Sequence, residues 1–224
     1  MQTVNVALAI LWKDLLIEWR SRDRVIAMLL FSLLVVVVFH FALPFGTRVG
    51  MVENAAGLLW VAYVFAANIG LNRSFALELE NDALSGLALA PGERGWIFVG
   101  KALANFCLIG IVQIVTAFAF ALAFDLDLLK IAFQLAGIVA LGSFGICTAG
   151  TLFSAMSVRT RLREVLLPIL LLPALFPVLA GVVAGTRSLI VEGSVSFEAI
   201  QLLLVIDGIY LVVSFLGFEY ILDE

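Results

Sequence analysis

The sequence predicts an all-α integral membrane protein: six transmembrane helices, an amphipathic interfacial helix before them, and a cytoplasmic coupling helix between the second and third spans. Three observations carry this. Of 224 residues, 63% are hydrophobic and 13% charged, far from the usual globular balance. The apolar residues fall into six continuous runs, at 25–43, 57–71, 102–124, 129–156, 165–185 and 200–218, near the roughly 20 residues that cross a bilayer. Lys and Arg alternate with the loops: Lys13, Arg20, Arg22, Arg24, Arg73, Arg94, Lys101, Arg159, Arg161 and Arg163 fall on one side, and only Arg48, Lys130 and Arg187 on the other. The positive-inside rule then puts both termini in the cytoplasm. A soluble enzyme and a disordered chain are excluded by composition, and a nucleic-acid binder by the net charge of −4. Continuous rather than alternating runs argue against a β-barrel.

Residues 1–24 are expected to form the interfacial helix, and 25–224 a single permease domain. Leu8, Leu11, Trp12, Leu15, Leu16 and Trp19 recur at helical spacing, while Lys13, Asp14, Glu18 and Arg20 fall on other faces. Such a helix lies in the headgroup layer with its tryptophans at the boundary, either as an anchor or as a moving part. Charge and periodicity there argue against a cleavable signal peptide. The first span ends near His40, the single histidine. His40 is a weak candidate for haem ligation, because nothing marks a second axial ligand; an interfacial side chain is the plainer reading. The second span is the shortest and has room to start as early as Val52.

The longest polar stretch follows, with Arg73, Glu78, Glu80 and Asp82 as candidate coupling residues within 72–94. Ser74 is placed to cap a helix running to about Ala88, with acids in its early turns where the helix dipole favours them, before Pro91-Gly92 ends it. Such a helix is a lever for a cytoplasmic partner or a plain solvated loop. Next, Gly95-Trp-Ile-Phe-Val-Gly-Lys-Ala102 approaches the phosphate-loop pattern but has Ala102 in place of the Mg²⁺-binding hydroxyl, and no strand precedes it. Any ATP is therefore expected on another chain.

In the fourth span, small residues at Gly145 and Ala149 and at Gly150 and Ser154 allow close helix approach. The fifth contains Pro168, Pro173 and Pro177, each expected to bend or break a helix. The sixth contains Asp207 about seven residues deep, where a carboxylate is costly unless paired, hydrated or protonated. It serves helix packing or the substrate path. Cys107 and Cys147 sit singly in apolar runs, without metal or disulfide spacing.

Lys13-Asp-Leu-Leu-Ile-Glu-Trp-Arg-Ser-Arg22, Gly70-Leu-Asn-Arg-Ser-Phe-Ala-Leu-Glu78 continuing through Glu80-Asn-Asp-Ala-Leu84 to Ala90-Pro91, and Gly100-Lys-Ala-Leu-Ala-Asn105 resemble the haem exporter protein B family, CcmB, of cytochrome c maturation. The resemblance implies a permease subunit of an ATP-binding-cassette complex in a bacterial inner membrane. Its implied partners are a cytoplasmic ATPase subunit, a haem-handling membrane subunit, a small single-span protein, and a second copy or another permease. Its implied task is haem delivery to a periplasmic chaperone. Trp12, Trp19, Trp60 and Trp96 are scattered rather than gathered into a haem-handling motif, so no cofactor is expected on this chain alone. The alternatives are a general exporter permease for drugs, lipids or polysaccharides, and an ion-coupled carrier using Asp207.

Overall fold

A computed structural model of the chain describes residues 2–42, 48–75, 95–157, 160 and 162–221. It contains α1 (Gln2–Ser21), α2 (Asp23–Ala42), α3 (Arg48–Asn72), α4 (Gly95–Phe124), a 3-10 turn (Leu128–Ile131), α5 (Ala132–Ser157), α6 (Arg163–Glu192) and α7 (Phe197–Ile221). Six of these helices are long and apolar enough to cross a membrane, and α1 is the remaining one. The coupling helix expected after Ser74 falls at 76–94, outside the described residues, and with it Glu78, Glu80 and Asp82.

The second span is longer than its apolar run. Among the six, α3 has the lowest hydropathy and the largest buried share. A helix surrounded by other helices meets little lipid, so its side chains can be polar where they find partners. Trp60 Nε1 donates to Thr186 Oγ1 of α6 at 3.0 Å, and Tyr63 OH donates to the Gln113 carbonyl of α4 at 3.1 Å. The peripheral α2 is the least buried span and the most hydropathic.

Helix α5 packs against α3, α4, α6 and α7. Its small residues let neighbours approach: Gly150 faces Leu71 of α3, and Ser154 donates to the Leu71 carbonyl at 2.7 Å. Further across the bundle, Ser143 donates to Gln113 Oε1 at 2.7 Å, and the Ser32 and Thr116 hydroxyls lie 2.8 Å apart between α2 and α4. Each such interhelical bond contributes about 0.6–2 kcal/mol in a bilayer. The three prolines of the fifth span all lie inside α6, which continues through them to Glu192, seven residues beyond the expected end. It closes on Gly193, whose φ of 71° is a left-handed cap, with its N–H on the Leu189 carbonyl at 3.2 Å.

Candidate functional site at one end of the helical bundle

Helix α1 carries its amphipathicity in an unusual sense. Ala7, Ile10, Asp14 and Glu18 are buried, spaced so that all four share one face. Trp12 and Trp19, 70% and 74% exposed, point away from the bundle with Leu8 and Leu16. The acids thus face protein and the tryptophans face outward, the arrangement of a helix lying between a bundle and lipid headgroups. Gly100 permits the close fit of α1 on α4: a Cβ there would sit 2.6 Å from the Ala7 carbonyl oxygen and 2.9 Å from Ile10 Cβ.

The chain turns from α1 into α2 at Arg22, a non-glycine residue with a φ of 59°. Its N–H bonds the Glu18 carbonyl at 2.8 Å, and its guanidinium lies 5.6 Å from the centre of the Trp19 ring. Glu18 then serves both helices. One carboxylate oxygen accepts the Val25 N–H at 3.0 Å, in the first turn of α2 where the helix dipole favours an anion. The other accepts Arg24 Nε at 3.0 Å.

Opposite these groups, α4 offers Lys101 and Asn105, four residues apart and so on one face. Lys101 is 1% exposed. Its ammonium lies 3.0 Å from Asp14 Oδ2, donates to the Ser74 carbonyl at 2.8 Å, and sits 4.7 Å from the Phe75 ring centre. Asn105 accepts Arg24 Nη1 at 3.2 Å and donates to Ser74 Oγ at 3.0 Å and Thr151 Oγ1 at 2.9 Å. Phe75, Phe98 and Phe218 close one side, with the Phe75 and Phe98 ring centres 6.3 and 5.7 Å from that of Phe218. Two ion pairs and one amide thereby join α1, α2, α4, α5 and the turn that leaves α3.

Of the residues singled out from sequence, Arg73 is exposed in that turn. Arg24, counted there as a cytoplasmic charge, and Lys101, counted so and as the lysine of the stretch resembling a phosphate loop, prove to be buried hub residues, and Asp14 and Glu18 face them. The signal was present as two i, i+4 pairs of opposite character: Asp14 and Glu18 on α1, Lys101 and Asn105 on α4. The stretch resembling a phosphate loop forms the first turns of α4, with its lysine held by Asp14.

Asp207 lies apart, midway along α7 and 4% exposed. Its Oδ1 fills the space a side chain at Gly145 would take, 2.5 Å from that residue's ideal Cβ. Neither of its oxygens finds a hydrogen-bond donor among the described residues. One turn further along α7, Tyr210 OH donates to the Ala174 carbonyl of α6. His40 stands edge-on to Phe41 and Phe124, with ring centres 5.4 and 5.9 Å away. A cavity of about 40 Å³ lies between α4, α5 and α7, lined by Phe98, Phe106, Cys147, Thr148 and Leu211 among others. That is far below the roughly 300–1,000 Å³ of ordinary small-molecule sites.

Comparison with known families decides membership. The CcmB protein family matches residues 5–218, from within α1 to the last turn of α7. The chain belongs to the CcmB family. Among curated CcmB relatives, Heme exporter protein B of Rhodobacter capsulatus is 30% identical over 76% of this chain and 78% of its own length. The protein of that name from Bradyrhizobium diazoefficiens is 28% identical over 85% of each chain. That from Pseudomonas aeruginosa is 26% identical over 64% of this chain and 65% of its own length. The stretches that carry the CcmB resemblance, 13–22, 70–78 and 100–105, supply Asp14, Glu18, Ser74, Lys101 and Asn105 to the hub.

Proposed function

We propose that this chain is the permease subunit of an ATP-binding-cassette complex that serves haem export, delivering haem to a periplasmic chaperone during c-type cytochrome biogenesis. The observation that carries the reading is the CcmB match across six membrane-spanning helices. The relatives' name, Heme exporter protein B, supports the haem part. ATP is bound and hydrolysed by a separate cytoplasmic subunit, a reading supported by the engagement of Lys101 with Asp14 and the Ser74 carbonyl inside a helix. Arg73 and the segment that follows, with Glu78, Glu80 and Asp82, dock that ATPase by charge complementarity. A haem-handling membrane subunit, a small single-span subunit and a second copy of the chain or another permease complete the complex in a bacterial inner membrane. Both termini are cytoplasmic, in keeping with the charge split.

In this reading the chain handles haem without holding it. The scatter of Trp12, Trp19, Trp60 and Trp96 and the lack of a second histidine in the sequence favour that view over axial ligation. The CcmB match favours the ATPase-driven permease over an ion-coupled carrier.

The deciding experiment is purification of the tagged chain from its own host, with haem staining of c-type cytochromes in a deletion strain. The expected result is a co-purified ATPase, loss of covalent cytochrome c on deletion, and no strong Soret band in the isolated chain. Normal cytochrome c after deletion would end the haem assignment, and a chain that brings down no ATPase would end the permease assignment.

A further inference from the structure

Helix α1 sorts its charges. Through residues 5–42 the acids are Asp14, Glu18 and Asp23, and the first two are buried. Other helices supply cations to them: Arg24 of α2 to Glu18, and Lys101 of α4, beside Lys13, to Asp14. The arginines of α1 and its closing turn are thereby left on the outside. Arg20 and Arg22 are both exposed, and Arg20 follows Leu16 by four residues, so it borders the face that carries Trp12, Leu16 and Trp19. Lys13, 40% exposed, lies on the same flank seven residues before Arg20. Asp23 is the one exposed acid in that stretch, in the first turn of α2 where the helix dipole favours it. An outward face of two tryptophans edged by cations complements the anionic headgroups of a lipid layer.

Arg22 also stands at the right depth. It directly precedes Asp23–Ala42, a helix long and apolar enough to cross a bilayer, so its backbone lies at the membrane boundary. Its φ of 59° suits glycine, yet an arginine occupies the position, and the guanidinium is kept beside the Trp19 ring with Nε donating to the Trp19 carbonyl at 3.4 Å. We infer that this corner is a docking face for anionic phospholipid: Arg20 and Arg22 hold the headgroup phosphate, and Trp12, Leu16 and Trp19 lie in the layer beneath. A guanidinium suits the task because its fork of donors matches the oxygens of a phosphate. A zwitterionic headgroup presents its phosphate with a cation of its own alongside, so the face selects lipids that carry net negative charge.

The test uses the full chain in bilayers of phosphatidylglycerol and phosphatidylcholine, with bromine on the acyl chains of one lipid or the other. Trp96→Phe removes the half-buried indole of α4, and Trp60, 1% exposed, supplies a constant background. Quenching of Trp12 and Trp19 then reports which lipid touches α1. Phosphatidylglycerol is expected to be favoured roughly tenfold at low salt, the scale of two arginines at a charged surface, and the preference should shrink at high salt as the charges are screened. Arg20→Gln with Arg22→Gly removes both charges and gives the turn its easier residue. That variant should lose the preference while both lipids still quench, since its tryptophan face is intact. Equal quenching by the two lipids without the arginine substitutions overturns the inference. So does a preference that survives them, which would place the charge elsewhere. Weak quenching by both lipids overturns it as well, because the tryptophans would then face protein, a second copy of the chain included. If the double variant fails to accumulate, the salt series on its parent decides, and a preference indifferent to salt overturns the inference.

Discussion

The molecule buries ionisable side chains in two places and treats them in opposite ways. At one end of the bundle, Asp14, Glu18, Arg24 and Lys101 form two ion pairs, which backbone groups and the Asn105 amide join by hydrogen bonds. Midway along α7, Asp207 is buried to a similar degree, yet neither oxygen meets a donor among the described residues. In the first place the fold uses charge, because geometry depends on which side chain meets which. In the second it uses shape, because the carboxyl fills the space left by Gly145. Equal burial therefore does not mean equal sensitivity to substitution.

Asp14→Ala should give the largest effect, since it takes from the buried Lys101 ammonium a carboxylate 3.0 Å away. Breaking a buried pair in this way costs about 3–5 kcal/mol, read as a lowered denaturation midpoint of the purified chain. Lys101→Met should cost less. Asp14 would keep Lys13, 3.1 Å away and 40% exposed, as a partner with access to water. Equal losses for the two variants would show that the pair is not asymmetric and would weaken the account of the hub.

At the other site, Gly145→Val is expected to cost about 1–3 kcal/mol by forcing α5 and α7 apart, measured in the same way. Asp207→Asn preserves size without charge and should shift stability by less than about 1 kcal/mol. A large loss there would mean that a partner for the charge exists and that the contrast is false. Normal stability with lost cytochrome c maturation would instead move Asp207 from packing into the substrate path. His40→Ala is the smallest expected change, below about 1 kcal/mol, with haem-stained cytochrome c largely intact.

The spans were legible because lipid imposes a simple rule, and α2, α4 and α7 begin and end within seven residues of their apolar runs. Helix α3 was read as 57–71, with room to start as early as Val52, because Arg48, Glu53 and Asn54 interrupt the apolar pattern over the turns that the helix adds at its N-terminal end. The hub was legible only as an unconnected set of charges near span ends. Any charge at a span end can reach water, so sequence assigns it there by default. What brings Lys101 to Asp14 is the folding back of α1 across α4, and that depends on Gly100, a residue whose importance lies in the side chain it lacks. Asp207 was recognised as costly from its position alone; Gly145, which accommodates it, was read only as part of a small-residue pattern.

The outward tryptophans of α1 have a consequence for how this protein is handled. With Leu8, Trp12, Leu16 and Trp19 exposed on one face, α1 rests against whatever amphiphile surrounds the bundle. A flat bilayer presents that face with a dense headgroup layer under lateral pressure, whereas a detergent micelle presents a curved and loosely packed one. Helices of this kind respond to curvature and lipid composition. Vesicles that differ in lipid packing are thus not interchangeable media for this chain.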